Sequence, residues 1–480
     1  MRKKRALAIN AFIQISGKLL ATVFGLLTVV VLTRYLGVEG YGDFTIILGF
    51  LSVFAVLVDF GLTLTTVQMI SEKGADEDAL IGNLLSLRIL SAIVFLALAP
   101  IVAFAFPYDA VVRIGIAVGA FSYLFGTTAT LLVGVFQKRL VIQKAVYAEL
   151  ANRILVLVGA LLAPALGLGL ITIVGILLIG NAVQLIITLW LASHFVRLRL
   201  RAQFAIWREI ISRSWPIGLS IFFNLIYLRG DILFLSVYRS SEEIGLYGAA
   251  YKVIDVITMI PVTFIGLLLP VLVALWSAKH TKKFRQSMQE TFDLFSILSI
   301  PIAFGCVFVS VPLIILIAGA EFAGAGPALA VLGPAASIVF FGALFGHAVV
   351  AIEKQKPMIF GYLFVAIITV VGYMVFIPIY GIMAAAWMTL IAELLIAIIT
   401  AMTVMVVSSF RPKIGMLSRA VFASIVMYLV LMILPEMHVL FLIATGGGVY
   451  TITLTAIGGP KPRDLLKILA PEISIEEVKS

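Results

Sequence analysis

Ionisable side chains lie inside apolar runs of this chain, among them Lys18, Glu149, Arg153, Arg229, Asp231, Lys252, Asp255 and Glu393. At the centre of a membrane span each costs roughly 2.5–3.5 kcal/mol, so a sequence that keeps them either pairs them or uses them. The densest set is Arg229-Gly230-Asp231 followed by Lys252 and Asp255. At about 1.5 Å per helical residue, Arg229 and Lys252 both fall roughly 12–14 Å below the outer surface. Their chemistry is electrostatic. A guanidinium donates two parallel hydrogen bonds to a phosphate, so Arg229 and Lys252 facing a wet cavity would hold an anionic ligand, steadied by the two aspartates. On the competing reading the four charges neutralise one another and tie two helices together, with Lys252 and Asp255 paired at i and i+3.

Glu149 and Arg153, at i and i+4 with Asn152 between them, are open to the same two readings. Lys18 has Gln14 one turn back; it either faces a cavity or snorkels to the interface. Glu393 and Asp59 are lone acids that could carry protons, although Asp59 reads more readily as a boundary residue. His347 reads as a packing residue, and Cys306 as a buried small hydrophobe. The sequence holds no HExxH, GxxxxGK[ST] or GxSxG and no paired Cys/His ligand set. No catalytic residue, metal site or cofactor is expected. Without a nucleotide-binding loop, transport would be driven by an ion gradient (proton or sodium), by the substrate's own gradient, or by consumption of the product.

Composition fixes what must position these groups. Hydrophobic residues make up 62% of the 480 and charged residues 12%, far below the roughly 25% of a soluble domain. A span needs roughly 20 apolar residues to cross a ~30 Å hydrocarbon core. The runs place spans near 10–33, 41–62, 84–106, 111–136, 145–163, 169–193, 214–238, 244–275, 292–318, 327–352, 357–378, 381–407, 420–434 and 439–457. The expected fold is therefore all-α and integral to the membrane, with about fourteen transmembrane helices and no soluble domain.

The net charge of +10 follows topology and argues against a nucleic-acid partner. Basic residues crowd alternate connections: Arg2-Lys3-Lys4-Arg5, Lys73, Lys138-Arg139 with Lys144, Arg197 to Arg213, Lys279 to Arg285, Lys354 with Lys356, and Arg411 to Arg419. The opposite connections are short and acidic or neutral, with Glu242-Glu243, Glu321 and Glu436. The positive-inside rule puts both termini in the cytoplasm of a multi-pass cell-membrane protein, with anionic lipid as a partner. Trp207, Trp215 and Trp276 fall at cytoplasmic boundaries, and Phe204 to Trp215 reads as an interfacial helix or a solvated linker. The first run is too long for a signal-peptide core and is expected to stay as span one.

The chain also repeats. Gly40-Tyr41-Gly42 matches Leu246-Tyr247-Gly248, Phe136-Gln137-Lys138-Arg139 matches Ile352-Glu353-Lys354-Gln355, and Gly169-Leu170-Ile171 matches Gly381-Ile382-Met383. The expected domains are a six-helix lobe at 1–205, a second at 206–410, and two added helices with a tail at 411–480. An even number of spans per half gives a parallel repeat with a central cleft between two bundles. Gly115-to-Gly119 and Gly342-to-Gly346 have the spacing for close helix approach. Pro261 and Pro270 mark a hinge or a static kink in span eight.

Leu32-Thr33-Arg34-Tyr35-Leu36-Gly37 through Tyr41-Gly42, then Asp59-Phe60-Gly61-Leu62, resembles the opening of polysaccharide-exporter flippases. Asp231-Ile232-Leu233 through Gly245 to Lys252 resembles the start of their second half. These belong to the multidrug/oligosaccharidyl-lipid/polysaccharide exporter superfamily. The resemblance implies a V-shaped, alternating-access bundle that flips lipid-linked oligosaccharide from the cytoplasmic to the outer leaflet for cell-surface glycan synthesis. It implies that Arg229, Lys252, Arg153 and Lys18 attract the carrier phosphate or diphosphate. Asp255, Asp231, Glu149 and Glu393 would tune that attraction or couple an ion. Glycan-assembly enzymes are expected partners of a monomer. An ion-coupled antiporter for amphiphilic cations is the alternative, disfavoured by the embedded basic residues. A membrane glycan polymerase or ligase is disfavoured by the short outer loops.

Overall fold

The computed structural model describes residues 2–72, 74–139, 141–435 and 437–460, and side chains within them except 2–15, 220, 227, 228 and 267. Lys73, Glu436, the side chains of Arg2 to Arg5 and the C-terminal tail from 461 lie outside what is described. The order is α1 (Arg2–Asp59), α2 (Leu62–Ile70), α3 (Glu77–Val102), α4 (Ala110–Lys138), α5 (Gln143–Leu166), α6 (Leu170–Ser193) and α7 (Phe204–Tyr238). There follow α8 (Ser241–Ser277), α9 (Thr281–Ala318), α10 (Gly326–Ala351), α11 (Gln355–Tyr380), α12 (Ile382–Ser408), α13 (Gly415–Ile433) and α14 (Val439–Ala456). No strand occurs among the described residues.

Local signals set the breaks. Gly37 takes φ 67°, ψ −176°, which divides α1 into two arms and makes it two spans. Asp76 caps α3 by accepting from the Ala79 N–H at 3.0 Å. With α1 counted twice and the bent α7 counted as one span, the helices long and apolar enough to cross a membrane reproduce the fourteen expected spans.

The chain divides into two compact units, 1–248 and 249–480. In the first, α4 packs on α6 and α1. A Cβ at Gly119 would lie 2.6 Å from Leu51 Cδ1, and one at Gly115 would overlap Ile47, so this glycine pair does permit close approach. The core at one end joins Leu62, Met69, Leu84, Leu131, Phe136 and Ile210. In the second unit α10 packs on α9 and α12 around Phe284, Phe292, Phe295, Phe340 and Leu344. A Cβ at Gly346 would meet nothing within 4 Å, so the second glycine pair is no tight crossing. The heaviest packing pairs α4 with α6 and α10 with α12, which are related by a shift of six helices. Gly169 and Gly381 precede α6 and α12 at equivalent points, as the repeat requires. Helices α13 and α14 pack on α9, where Tyr450 donates to the Ile297 carbonyl at 2.8 Å.

Helix α7 begins at Phe204, so the stretch expected to lie apart as an interfacial helix or linker is the first three turns of a long helix. That helix bends by 48° between 204–226 and 229–238. Pro261 and Pro270 lie within α8, which is continuous from Ser241 to Ser277, and the 48° bend of α7 falls next to Arg229.

Candidate functional site

The charged residues fall into three environments. On α5, Arg153 Nη2 lies 4.0 Å from Glu149 Oε1, with the two side chains 49% and 40% exposed. On α8, Lys252 Nζ lies 3.1 Å from Asp255 Oδ2, with 38% and 29% exposure. Both pairs lie along one helix, as their spacing predicts. They are open to their surroundings, and hydrocarbon is no place for half-exposed charge. Lys18 is exposed on the first arm of α1, adjacent to Gly17, where that helix packs on Val146 of α5. Arg153 reaches the same arm, since its Nη1 would stand 3.8 Å from a Cβ on Gly25.

Asp231 is sealed. It is fully buried, accepts from the Tyr247 hydroxyl at 2.6 Å and from the Ile232 N–H at 2.8 Å, and fastens α7 to the start of α8. Arg229, just after the bend of α7, is partly exposed. Its charge acts on the hydroxyl of Tyr123 on α4, which itself donates to the Leu48 carbonyl at 3.1 Å. Glu393 on α12 is 5% exposed; its Oε2 would lie 3.9 Å from a Cβ on Gly342 of α10. Among the described residues it has no hydrogen-bond or ion-pair partner. His347 is a packing residue as expected, its Nδ1 2.8 Å from the Ala343 carbonyl.

Two polar groupings went unnoticed in the sequence. Arg88 on α3 is fully buried and bonded to Asp59, with its Nη2 donating to Thr63 Oγ1 at 2.8 Å. Asp59 is therefore not a lone acid. Arg88 sits inside the apolar run 84–106, so the rule that picked out Arg229 applied equally to it. The second grouping surrounds Asn152. Its Nδ2 donates to Asn181 Oδ1 at 2.9 Å and Gln184 Oε1 at 2.6 Å, while Asn181 Nδ2 donates to Ser122 Oγ at 2.8 Å. Uncharged amides on α5 and α6 and a hydroxyl on α4 meet in space without any sequence spacing to announce them. No group of three or more potential metal-binding side chains occurs among the described residues.

This is a helix bundle that holds unsealed charge within its spans and carries no metal-binding cluster among its described residues. Residues 7–276 match the sequence model of the family described as polysaccharide biosynthesis protein. The chain belongs to that family. No curated protein matches the sequence significantly. Among solved structures, the lipid II flippase MurJ in an inward closed conformation aligns with a TM-score of 0.75 at 16% identity, covering 95% of this chain and 99% of that one. An inward-facing multidrug resistance MATE family transporter aligns with a TM-score of 0.65 at 15% identity, covering 83% and 98%. An outward-facing structure of a multidrug resistance MATE family transporter aligns with a TM-score of 0.61 at 15% identity, covering 85% and 96%. The fold is that of the multidrug/oligosaccharidyl-lipid/polysaccharide exporter superfamily, and the chain is a multi-pass membrane protein.

Proposed function

We propose that this family member flips a polyprenyl phosphate- or diphosphate-linked oligosaccharide from the cytoplasmic to the outer leaflet of the cell membrane by alternating access, and that it is not an enzyme. One observation carries the reading: Arg153 and Lys252 remain 49% and 38% exposed within membrane-spanning helices. A charge that faced lipid there would be expelled or neutralised, so these groups face water. A water-facing arginine and lysine within the spans favour an anionic cargo, and a phosphate on a lipid carrier is such a cargo. Arg229 and Lys18 add to this basic set. Glu149 and Asp255, each beside a cation, keep the phosphate from binding too tightly to leave. The tail stays in lipid while the headgroup crosses. Uptake of a proton or sodium ion on an acidic group would reset the cycle.

The test is transport itself. Protein in vesicles with a fluorescent polyprenyl-diphosphate oligosaccharide should render the label accessible to a membrane-impermeant quencher faster than empty vesicles do. A rate equal to that of empty vesicles, with several carrier lipids, would overturn the reading. A cationic dye moved in its place would favour the antiporter.

A further inference from the structure

The connection from α6 to α7 is a basic strap held rigidly against α3. The Arg197 N–H donates to Asp78 Oδ1 at 2.8 Å, the Arg201 N–H to the Gly82 carbonyl at 3.2 Å, and the Gln203 N–H to Asn83 Oδ1 at 2.8 Å. Asn83 returns a bond from Nδ2 to Gln203 Oε1 at 2.9 Å. A Cβ at Gly82 would overlap the Arg199 carbonyl, so only glycine lets the strap lie this close.

The acids on this face are already occupied. Glu77 pairs with Lys138 and Arg139, Asp78 with Arg197, Glu72 and Glu209 with Arg213, and Asp76 caps α3. Lys144 lies 4.5 Å from the Phe195 ring centroid. Arg199, Arg201 and Arg208 have no ion-pair partner among the described residues, and Arg199 and Arg208 are exposed. Beside them the first turns of α7 present Phe204 at 82%, Ile211 at 49% and Trp215 at 51% exposure. Uncompensated cations next to bare apolar and aromatic side chains match one partner, a surface that is anionic at its headgroups and apolar beneath.

We propose that this face binds anionic phospholipid, with Arg199, Arg201 and Arg208 taking headgroup phosphates and Phe204, Ile211 and Trp215 lying against the same lipid, Trp215 towards the upper acyl chains. The strap is ordered before the lipid arrives, so little freedom is lost on binding. This surface is separate from the span charges assigned to cargo and stands whether or not that assignment holds.

Full-length protein keeping only Trp215 (Trp190, Trp207, Trp276 and Trp387 each replaced by Phe) is reconstituted in mixed vesicles carrying brominated phosphatidylglycerol or brominated phosphatidylcholine. Trp215 should be quenched more by the brominated phosphatidylglycerol, and Arg199→Gln/Arg201→Gln/Arg208→Gln should erase the difference. Each arginine should contribute about fivefold to local enrichment, from about 1 kcal/mol per basic residue at an anionic surface. Equal quenching by the two lipids, or a preference that survives the triple change, overturns the proposal; an acidic protein partner as the true occupant would give equal quenching. Should the reporter variant fail to fold, the melting temperature of the wild-type chain in phosphatidylglycerol-doped against phosphatidylcholine-doped micelles decides. A rise specific to phosphatidylglycerol, absent in the triple variant, supports it, and equal melting in both overturns it.

Discussion

A Cβ on Gly42 would overlap the carbonyl oxygen of Ser241, so the second arm of α1 and the start of α8 cross backbone against backbone. Gly245 meets the Val38 carbonyl as closely, and a Cβ on Gly248 would stand 2.6 Å from Thr45 Oγ1. The crossing joins Tyr41-Gly42 to Tyr247-Gly248, the two stretches that the internal repeat relates. Backbone cannot move aside as a side-chain tip can, so Gly42→Val should force the helices apart. The expected loss is at least the 1–3 kcal/mol typical of overpacking, read as a fall in melting temperature in detergent. Gly266→Ala is the control. Nothing lies within 4 Å of its added methyl, so its melting temperature should be unchanged or higher.

Arg88 and Asp59 form the most deeply buried ion pair described, and Arg88 Nε and Nη1 have no hydrogen-bond partner among the described residues. The pair anchors the turn at Phe60 and Gly61, where a Cβ on Gly61 would lie 2.7 Å from the Ser214 carbonyl of α7. Removing one member strands the other, at about 3–5 kcal/mol. Asp59→Asn and Arg88→Gln should each lower the melting temperature sharply. The double change should do less harm than the two single losses combined. Strict additivity in a thermal-melt cycle would show that the two groups do not interact.

How much of this was legible in the sequence depended on the kind of signal. Span number and order were, because hydrophobic length and charge spacing are local properties. Gly169 and Gly381 were visible as span openings for the same reason. The partner of Asp59 was not: Arg88 lies on another helix, and only packing decides which charges meet. Arg229 and Asp231 are two residues apart yet part company, one partly exposed and one sealed against Tyr247, because positions i and i+2 of a helix face nearly opposite sides. The bend of α7 was not foreseen, because it forms between 226 and 229, where there is no proline to mark it.

Asn152 holds two acceptors with one amide nitrogen, linking α5 to α6, while Asn181 links α6 to α4. Asn152→Leu leaves the Asn181 and Gln184 carbonyls without their donor. Polar contacts between membrane helices average about 0.6 kcal/mol and reach about 1.7. The expected result is a modest drop in melting temperature, with the first unit more readily cut by protease. Asn152→Asp also removes the donor and adds a charge, so it should be worse than leucine. An aspartate variant as stable as wild type would mean that the network carries no load.

Glu393 is buried with no hydrogen-bond or ion-pair partner among the described residues, so its shape matters to packing while nothing described repays a charge there. Glu393→Gln keeps that shape and should retain the wild-type melting temperature. Its transport should no longer respond to an imposed proton gradient if this acid is the coupling group. Unchanged gradient dependence in Glu393→Gln would assign coupling to another acid.

The carboxylate seen beside Lys252 lies on its own helix, as does the one beside Arg153, so neither of these two bridges joins two helices. Exposed pairs within one helix contribute roughly 0.2–0.5 kcal/mol. Lys252→Gln and Arg153→Gln should therefore melt within a degree or two of wild type and reach the membrane at normal levels. Their transport of a lipid-linked anionic sugar should fall at least tenfold, and Arg229→Gln with Lys252→Gln together should abolish it. Raising ionic strength should weaken the wild type more than the variants, because salt screens the attraction that the variants have already lost. Normal transport in both single variants and in the double would return these groups to the helix surface and remove them from the site.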